Sequence, residues 1–309
     1  MILTVCPNPS IDCTIELDSL NVGMLNRIEN KVETYSGKAL NVAIGVARLG
    51  GKCVTTGFMF SSHKELFEKK LSGEGVAHRF VSVNGSARVN YKIIDKKSML
   101  TEINDVGEMV SPDKQGELLQ LVSGLSENSS IAVISGSLPK GVESSYYNKL
   151  VKAVRKGQKI IIDAEKQNML SATEDTEIYM AKPNLPELES FSGMTIRTKK
   201  DMVKASRKYF DRGVQNVLVS LGRDGAVLTN GSDSYFCRSE SVAVNSTVGA
   251  GDSMVSAVSV GLKMGVDMPE LLKMAVAAGT AAVTTSGTNL FYKDKYEEIY
   301  AKIKTEKII

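Results

Sequence analysis

The sequence predicts an α/β fold: a mainly parallel sheet between two layers of helices, a three-layer αβα sandwich, with a small antiparallel sheet beside it. Two observations predict this. Short apolar runs rich in β-branched residues alternate with helical patterns along most of the chain, the order that βαβ units impose. Two stretches, about 11–35 and 88–104, break that alternation and read as strands with no helix to follow.

The first run, 2–5, is apolar throughout and suits a strand buried on both faces. Comparable runs occupy 53–58, 131–135, 159–163, 178–181 and 217–220. Between them, apolar residues recur at helical spacing near 39–49, 64–71, 114–125, 144–154 and 199–210. Two long helices are expected at 250–264 and 269–284, then an amphipathic one near 294–304. The alanine-rich segment 275–283 reads as a helix packed tightly on its neighbours. The stretch Val89-Asn90-Tyr91-Lys92-Ile93-Ile94 alternates as a strand does. Each strand-only stretch would need a helix after it to join the central sheet. Both are therefore assigned to the small sheet, assembled from two separated insertions into one domain spanning 1–309, where it would serve as a lid or a dimer contact.

Composition narrows the function classes. A net charge of +3 argues against nucleic acid or another polyanion as partner. No run of about 18 apolar residues predicts a membrane span, and Pro7 interrupts the N-terminal apolar run too early for a signal peptide. Cys6, Cys13, Cys53 and Cys237 lack CxxC spacing and only His63 and His78 are present, which disfavours a zinc site, a disulfide framework or histidine acid–base chemistry. A reducing, cytoplasmic setting is expected.

The most informative stretch is Asn245-Ser246-Thr247-Val248-Gly249-Ala250-Gly251-Asp252-Ser253, at the start of a predicted helix. Small residues there bring several free backbone N–H groups to one spot, at the positive end of the helix dipole. A carboxylate beside such a cradle suits proton removal from a hydroxyl that attacks a phosphoryl group. The competing reading makes Asp252 an ordinary helix cap. No GxxxxGK[ST] loop is present.

Other motifs accompany it: Asn8-Pro9-Ser10-Ile11-Asp12 after the first strand, Ser36-Gly37-Lys38-Ala39-Leu40-Asn41 opening the first long helix, and Gly136-Ser137-Leu138-Pro139. Lys182-Pro183-Asn184 with Glu187, and Ser220-Leu221-Gly222 with Gly225, complete the set. In order and approximate spacing these motifs resemble those of the ribokinase-like sugar kinases, the phosphofructokinase-B family, over residues 1 to about 290. Within the family the wording around Asp252 is most similar to the 1-phosphofructokinases, with the tagatose-6-phosphate kinases as near relatives.

The resemblance implies ATP-dependent phosphorylation of a ketohexose phosphate, fructose 1-phosphate to fructose 1,6-bisphosphate, with tagatose 6-phosphate as the alternative acceptor. A regulator that binds sugar phosphate or nucleotide without catalysis is the reading from another class. Asp252 matches the family's general base, and Gly249, Ala250 and Gly251 its anion hole. Asp12, Gly37, Lys38, Asn41 and Ser137 match acceptor positions. Arg27, Arg88, Asn90 and Lys92 supply the polar and cationic groups that an acceptor's existing phosphate requires; 88, 90 and 92 share one strand face. A solvated strand face is the competing account. Lys182, Ser220, Gly222 and Gly225 resemble the nucleotide loop, and the 277–282 helix, with Ala278, an adenine wall. Asn184 and Glu187 resemble a site that holds Mg²⁺ through water, and fit a helix capping box equally. A homodimer through the lid sheets is likewise implied. The usual acceptor motif is Gly-Gly-Lys-Gly, so Ser36 and Ala39 are departures that would alter specificity or turnover. Whether a monovalent cation is needed near Thr247 and Ser286–Gly287 is left open.

Overall fold

The structure, a computed structural model, describes all residues except 98, 286–289 and 309. The chain begins with strand β1 (Ile2–Cys6), followed by β2 (Ser10–Leu17) and β3 (Asn30–Ser36). Helix α1 (Lys38–Arg48), β4 (Cys53–Phe60), α2 (Lys64–Gly73), β5 (Ala77–His78) and β6 (Val81–Val83) come next. Then follow β7 (Arg88–Asp95), β8 (Leu100–Asn104), α3 (Pro112–Ser126), β9 (Ile131–Ser135), α4 (Ser145–Ala153) and β10 (Lys159–Asp163). The sequence continues through α5 (Lys166–Ala172), β11 (Ile178–Ala181), α6 (Leu185–Ser192), α7 (Lys199–Phe210), β12 (Val214–Ser220), β13 (Ala226–Thr229) and β14 (Ser234–Cys237). It closes with α8 (Ala250–Met264), α9 (Met268–Ala282), α10 (Lys293–Lys302) and β15 (Thr305–Lys307).

The large sheet runs β15-β14-β13-β12-β11-β10-β9-β1-β4-β5, with β6 also pairing β4. Pairing is parallel from β12 to β5 and antiparallel from β12 to β15. Strands β1, β4 and β9 are buried at every residue, because helices cover both faces and leave no polar side. Helices α1, α8, α9 and α10 pack in one contiguous group, and α3 with α4, α4 with α5 and α6 with α7 in the other. The expected αβα sandwich is thus present.

The expected small sheet is also present, with order β3-β2-β7-β8. Its outer pairs are antiparallel, while β2 and β7, the two insertions, meet in parallel with Asp12 opposite Asn90. Strands β13 and β14 form a hairpin whose Asn230-Gly231 turn was a readable signal: the Asn230 Oδ1 accepts from the amides of Ser232 and Asp233. Among the described residues no helix is long and apolar enough to cross a membrane.

One contact sets the geometry of the site. Helix α1 carries Gly45 where α8 carries Ser256, and a Cβ on Gly45 would stand 2.7 Å from the Ser256 Cβ. The Ser256 side chain thus packs directly on the α1 backbone at Gly45. One turn earlier on each lie Asn41 and Asp252.

Candidate active site

A cleft of about 1370 Å³ opens over the C-terminal ends of the parallel strands, between them and the four-stranded sheet. Ligands of open α/β sheets bind at that end because loops and helix N-termini converge there. Asp163 ends β10, Lys182 directly follows β11 and Ser220 ends β12, so three successive strands deliver polar groups to one place.

At the centre lies Asp252. Helix α8 starts after Gly249, whose backbone is left-handed (φ 80°), and no side chain caps it. Asp252 therefore does not cap its helix. Its Oδ2 instead accepts from Asn41 Nδ2 at 2.8 Å, and the amides of 250–252 keep no intrahelical acceptor. Burial pushes the Asp252 carboxyl up to about 6, against the pull of nearby Lys38, while Asp163 raises it further and the Asn41 hydrogen bond lowers it. A buried carboxylate with a pKa near neutrality, beside free amides, is equipped to take a proton next to a developing anion. Gly251 has a second role: a Cβ there would lie 3.2 Å from Lys182 Nζ.

Asp163 joins the two halves of the cleft, and sequence reasoning missed it. Its Oδ1 receives Lys38 Nζ at 3.1 Å and its Oδ2 lies 3.5 Å from Lys182 Nζ. Burial works to raise the Asp163 carboxyl, but Lys182 and Lys38 together hold it below the ordinary carboxylate range. The same carboxylate raises the Lys38 pKa against the cost of burial. Lys38 opens α1 and Lys182 follows β11, so one buried anion holds a cation from each of two elements.

Asp12, Asn90 and Lys92 meet in the four-stranded sheet. Asp12 Oδ1 accepts from Asn90 Nδ2 at 3.0 Å, and its Oδ2 stands 3.6 Å from Lys92 Nζ. Arg88 donates to Asn90 Oδ1 and to the Asp105 carbonyl, and among the described residues its buried Nε has no partner. Residues 88, 90 and 92 all line the cleft, as their shared face predicts. Gly37 permits its turn because a Cβ would press within 2.8 Å of Cys6 Sγ, and its φ of 148° is strained for other residues. Despite Ser36 and Ala39, α1 begins at Lys38 and Asn41 faces the site. Asn41 engages Asp252 and Ser36, so it fixes the Asp252 carboxylate directly. Ser137 accepts from Asn8 Nδ2 and also lines the cleft.

Asn184 and Glu187 form a reciprocal capping box at the start of α6, each side chain accepting from the other's backbone amide at 2.8 Å. Both still line the cleft, and the second Glu187 oxygen is unused by the cap. A hydrated magnesium ion fits such a sparse pair, since it keeps most of its waters. Among the described residues no three His, Cys, Asp or Glu side chains converge on a common point.

Ser220, Gly222 and Gly225 line the far end of the cleft as expected. Two expected site residues do not. Ala278 is fully buried and turned away from the cleft. The wall of α9 is formed by Val276, Gly279 and Thr280, continued by Val283, at helical spacing that excludes 278. Arg27 is exposed in the loop between β2 and β3 and does not line the cleft of its own chain. Glu102 and Asn104 of β8 line the cleft and were not anticipated; their register opposite Lys92 and Asn90 puts them on the same face. Ser286 and Gly287 lie outside the described residues.

Residues 8–295 match the model of the pfkB family of carbohydrate kinases. The chain belongs to the pfkB carbohydrate kinase family. It is 30% identical over 303 residues to a 1-phosphofructokinase of Escherichia coli strain K12, covering 98% of this chain and 97% of that protein. A 1-phosphofructokinase of Haloferax volcanii is 31% identical over 291 residues, 94% of this chain and 93% of that one. Among solved structures, phosphofructokinase-2 of Escherichia coli in complex with substrates and products superposes with a TM-score of 0.90 at 28% identity, covering 97% and 98% of the two chains. The tetrameric inhibited form of that enzyme superposes with a TM-score of 0.87 over the same shares. The family membership makes this chain a kinase acting in carbohydrate metabolism, on the ribokinase-like fold.

Proposed function

We propose that this kinase transfers the γ-phosphoryl group of ATP to a ketohexose phosphate, converting fructose 1-phosphate to fructose 1,6-bisphosphate. The observation that carries the reading is the Asp252 carboxylate, buried, raised to about 6 and pinned by Asn41 beside the open amides of 250–252. Asp252 takes the proton of the attacking hydroxyl as its oxygen bonds to the γ-phosphorus. The bond from that phosphorus to the departing ADP breaks, and its electron pair leaves with ADP. Amides of 250–252, with Lys38 and Lys182 held by Asp163, offset the charge spread over the transferring group. Magnesium, held through water near Asn184 and Glu187, would neutralise charge on the donor phosphates.

A phosphorylated acceptor is supported by Arg88, a cation that among the described residues no carboxylate pairs within hydrogen-bond distance and whose buried Nε has no partner there. A guanidinium of that kind suits a fixed phosphate. Asp12 and Lys92, already paired, suit the sugar hydroxyls instead. The whole chain acts as one kinase domain, and the four-stranded sheet closes over the acceptor to exclude water. Exposed apolar residues Val22, Met24, Leu25 and Ile28 beside Arg27 support a homodimer through these lid sheets.

ADP release in the presence of Mg-ATP, compared across fructose 1-phosphate, tagatose 6-phosphate, fructose 6-phosphate and fructose, tests the proposal. A preference for fructose 1-phosphate of about tenfold in kcat/KM, roughly 1.4 kcal/mol of discrimination, is expected. A win for tagatose 6-phosphate would change the acceptor and leave the mechanism; equal use of free fructose would remove the role given to Arg88.

A further inference from the structure

The third turn of the α1 face that carries Asn41 and Gly45 ends in Arg48, a residue outside the cleft. Its guanidinium is fully committed. Nε and Nη2 form a fork on the Glu74 carboxylate at the end of α2, and Nη1 donates to the carbonyls of Leu290 and Phe291 at 2.9 and 3.0 Å. The same group lies 4.9 Å over the Tyr292 ring. Arg48 thus binds three successive residues, 290–292, to the end of α1. A lysine at this position could not reproduce the arrangement, because its single ammonium lacks the planar fork.

Leu290 is the far end of this connection. It is buried, and its Cδ2 would lie 2.9 Å from a Cβ on Gly249. It fills the space beside the left-handed Gly249 turn from which α8 and its free amides begin. Phe291 is fully buried, with its ring 3.4 Å from the Cβ position of Gly45. The α1 face therefore references the start of α8 three times: through Asn41 on Asp252, through Gly45 on Ser256, and through Arg48 by way of Leu290 on Gly249.

We propose that Arg48, anchored by Glu74, is a positioning residue for phosphoryl transfer: it holds Leu290 against Gly249 and so fixes the amides of 250–252 where the transferring group acquires charge. This rests on the kinase reading of the cleft. Anion-hole donors act by being in place before the reaction, so loosening them costs rate more than substrate affinity.

The test is Arg48→Lys in the full-length enzyme, with Glu74→Gln as a milder companion. Arg48→Lys is expected to lower kcat by about tenfold, with the KM for ATP and for the sugar phosphate within about twofold. Calorimetric affinity for MgADP should hold steady. Affinity for MgADP with aluminium fluoride and sugar phosphate, a mimic of the transferring group, should fall by about the same factor as kcat. Glu74→Gln should move kcat in the same direction by a smaller factor. Unchanged kcat in either folded variant, even with a lowered melting temperature, would reduce Arg48 to a structural clamp and overturn the proposal. A rise in KM at constant kcat would overturn it also. Wild-type enzyme without turnover on any sugar phosphate would instead sink the kinase reading, and this inference with it.

Discussion

Replacing Asp252 by Asn separates what the carboxylate does for chemistry from what its burial costs the fold. The ordinary value of 3.8 is displaced to about 6 in the folded protein, chiefly by desolvation. That displacement of about 2 units corresponds to roughly 3 kcal/mol of penalty on the ionised form at neutral pH. Asn keeps the shape and can still accept from Asn41 Nδ2, but carries no charge. The folded pKa lies above the unfolded one, so the native state binds more protons between pH 3.8 and 6. Wild-type stability is thus highest, in this term, below the unfolded value and is lost as pH rises through about 6. Asp252→Asn should melt with the wild type near pH 4 and outlast it above pH 6, by roughly 5 °C for a chain of this size. Melting followed by circular dichroism from pH 4 to 8 reads this gap. In the same variant kcat should fall by about 10²–10⁴. Wild-type kcat/KM should decline below about pH 6 as the base takes up its proton. A variant no more stable than wild type at pH 7.5, or one that keeps its kcat, would refute the account of Asp252 as a desolvated base.

Further predictions follow from the same geometry. Gly45→Ala inserts a methyl where α1 and α8 touch; it should cost about 1–3 kcal/mol in denaturant melts and lower kcat by displacing Asp252 from Asn41. Arg88→Gln should raise the KM for a sugar phosphate by about 10- to 100-fold while leaving the use of free fructose unchanged, which steady-state kinetics would show. Leu25→Asp, in the exposed apolar loop, should convert a dimer to monomers by light scattering after gel filtration, since a charge there is unpaired on burial.

Much of this architecture could be read from periodicity. Fully apolar runs become the buried strands β1, β4 and β9, and the two stretches lacking helices form the separate sheet. The short strands β13 to β15 at one end of the sheet escaped because three or four residues carry no reliable period, although Asn230-Gly231 marked the β13–β14 turn. At the site, residues within motifs were legible as residues but not as contacts. Asn41 is assigned to the acceptor by its motif, but its hydrogen bond to Asp252, 211 residues away, depends on the packing of α1 on α8, where Gly45 meets Ser256. Asp163 terminates a run of three isoleucines, Ile160 to Ile162, and an acid at the C-terminal end of such a strand was the available signal. Ala278 was misplaced because which side of α9 faces the cleft depends on how it sits on α8, not on its alanine content.

The central claim is that a hydroxyl of an already phosphorylated ketose receives the γ-phosphoryl group through Asp252. Phosphorus NMR of the wild type with Mg-ATP and fructose 1-phosphate tests it most directly. The account predicts one new sugar phosphomonoester resonance for each ATP converted to ADP, on a molecule that keeps its original phosphate, and no such signal with Asp252→Asn. ATP lost to inorganic phosphate with the sugar unchanged, or a bisphosphate formed equally well by the Asn variant, would contradict it.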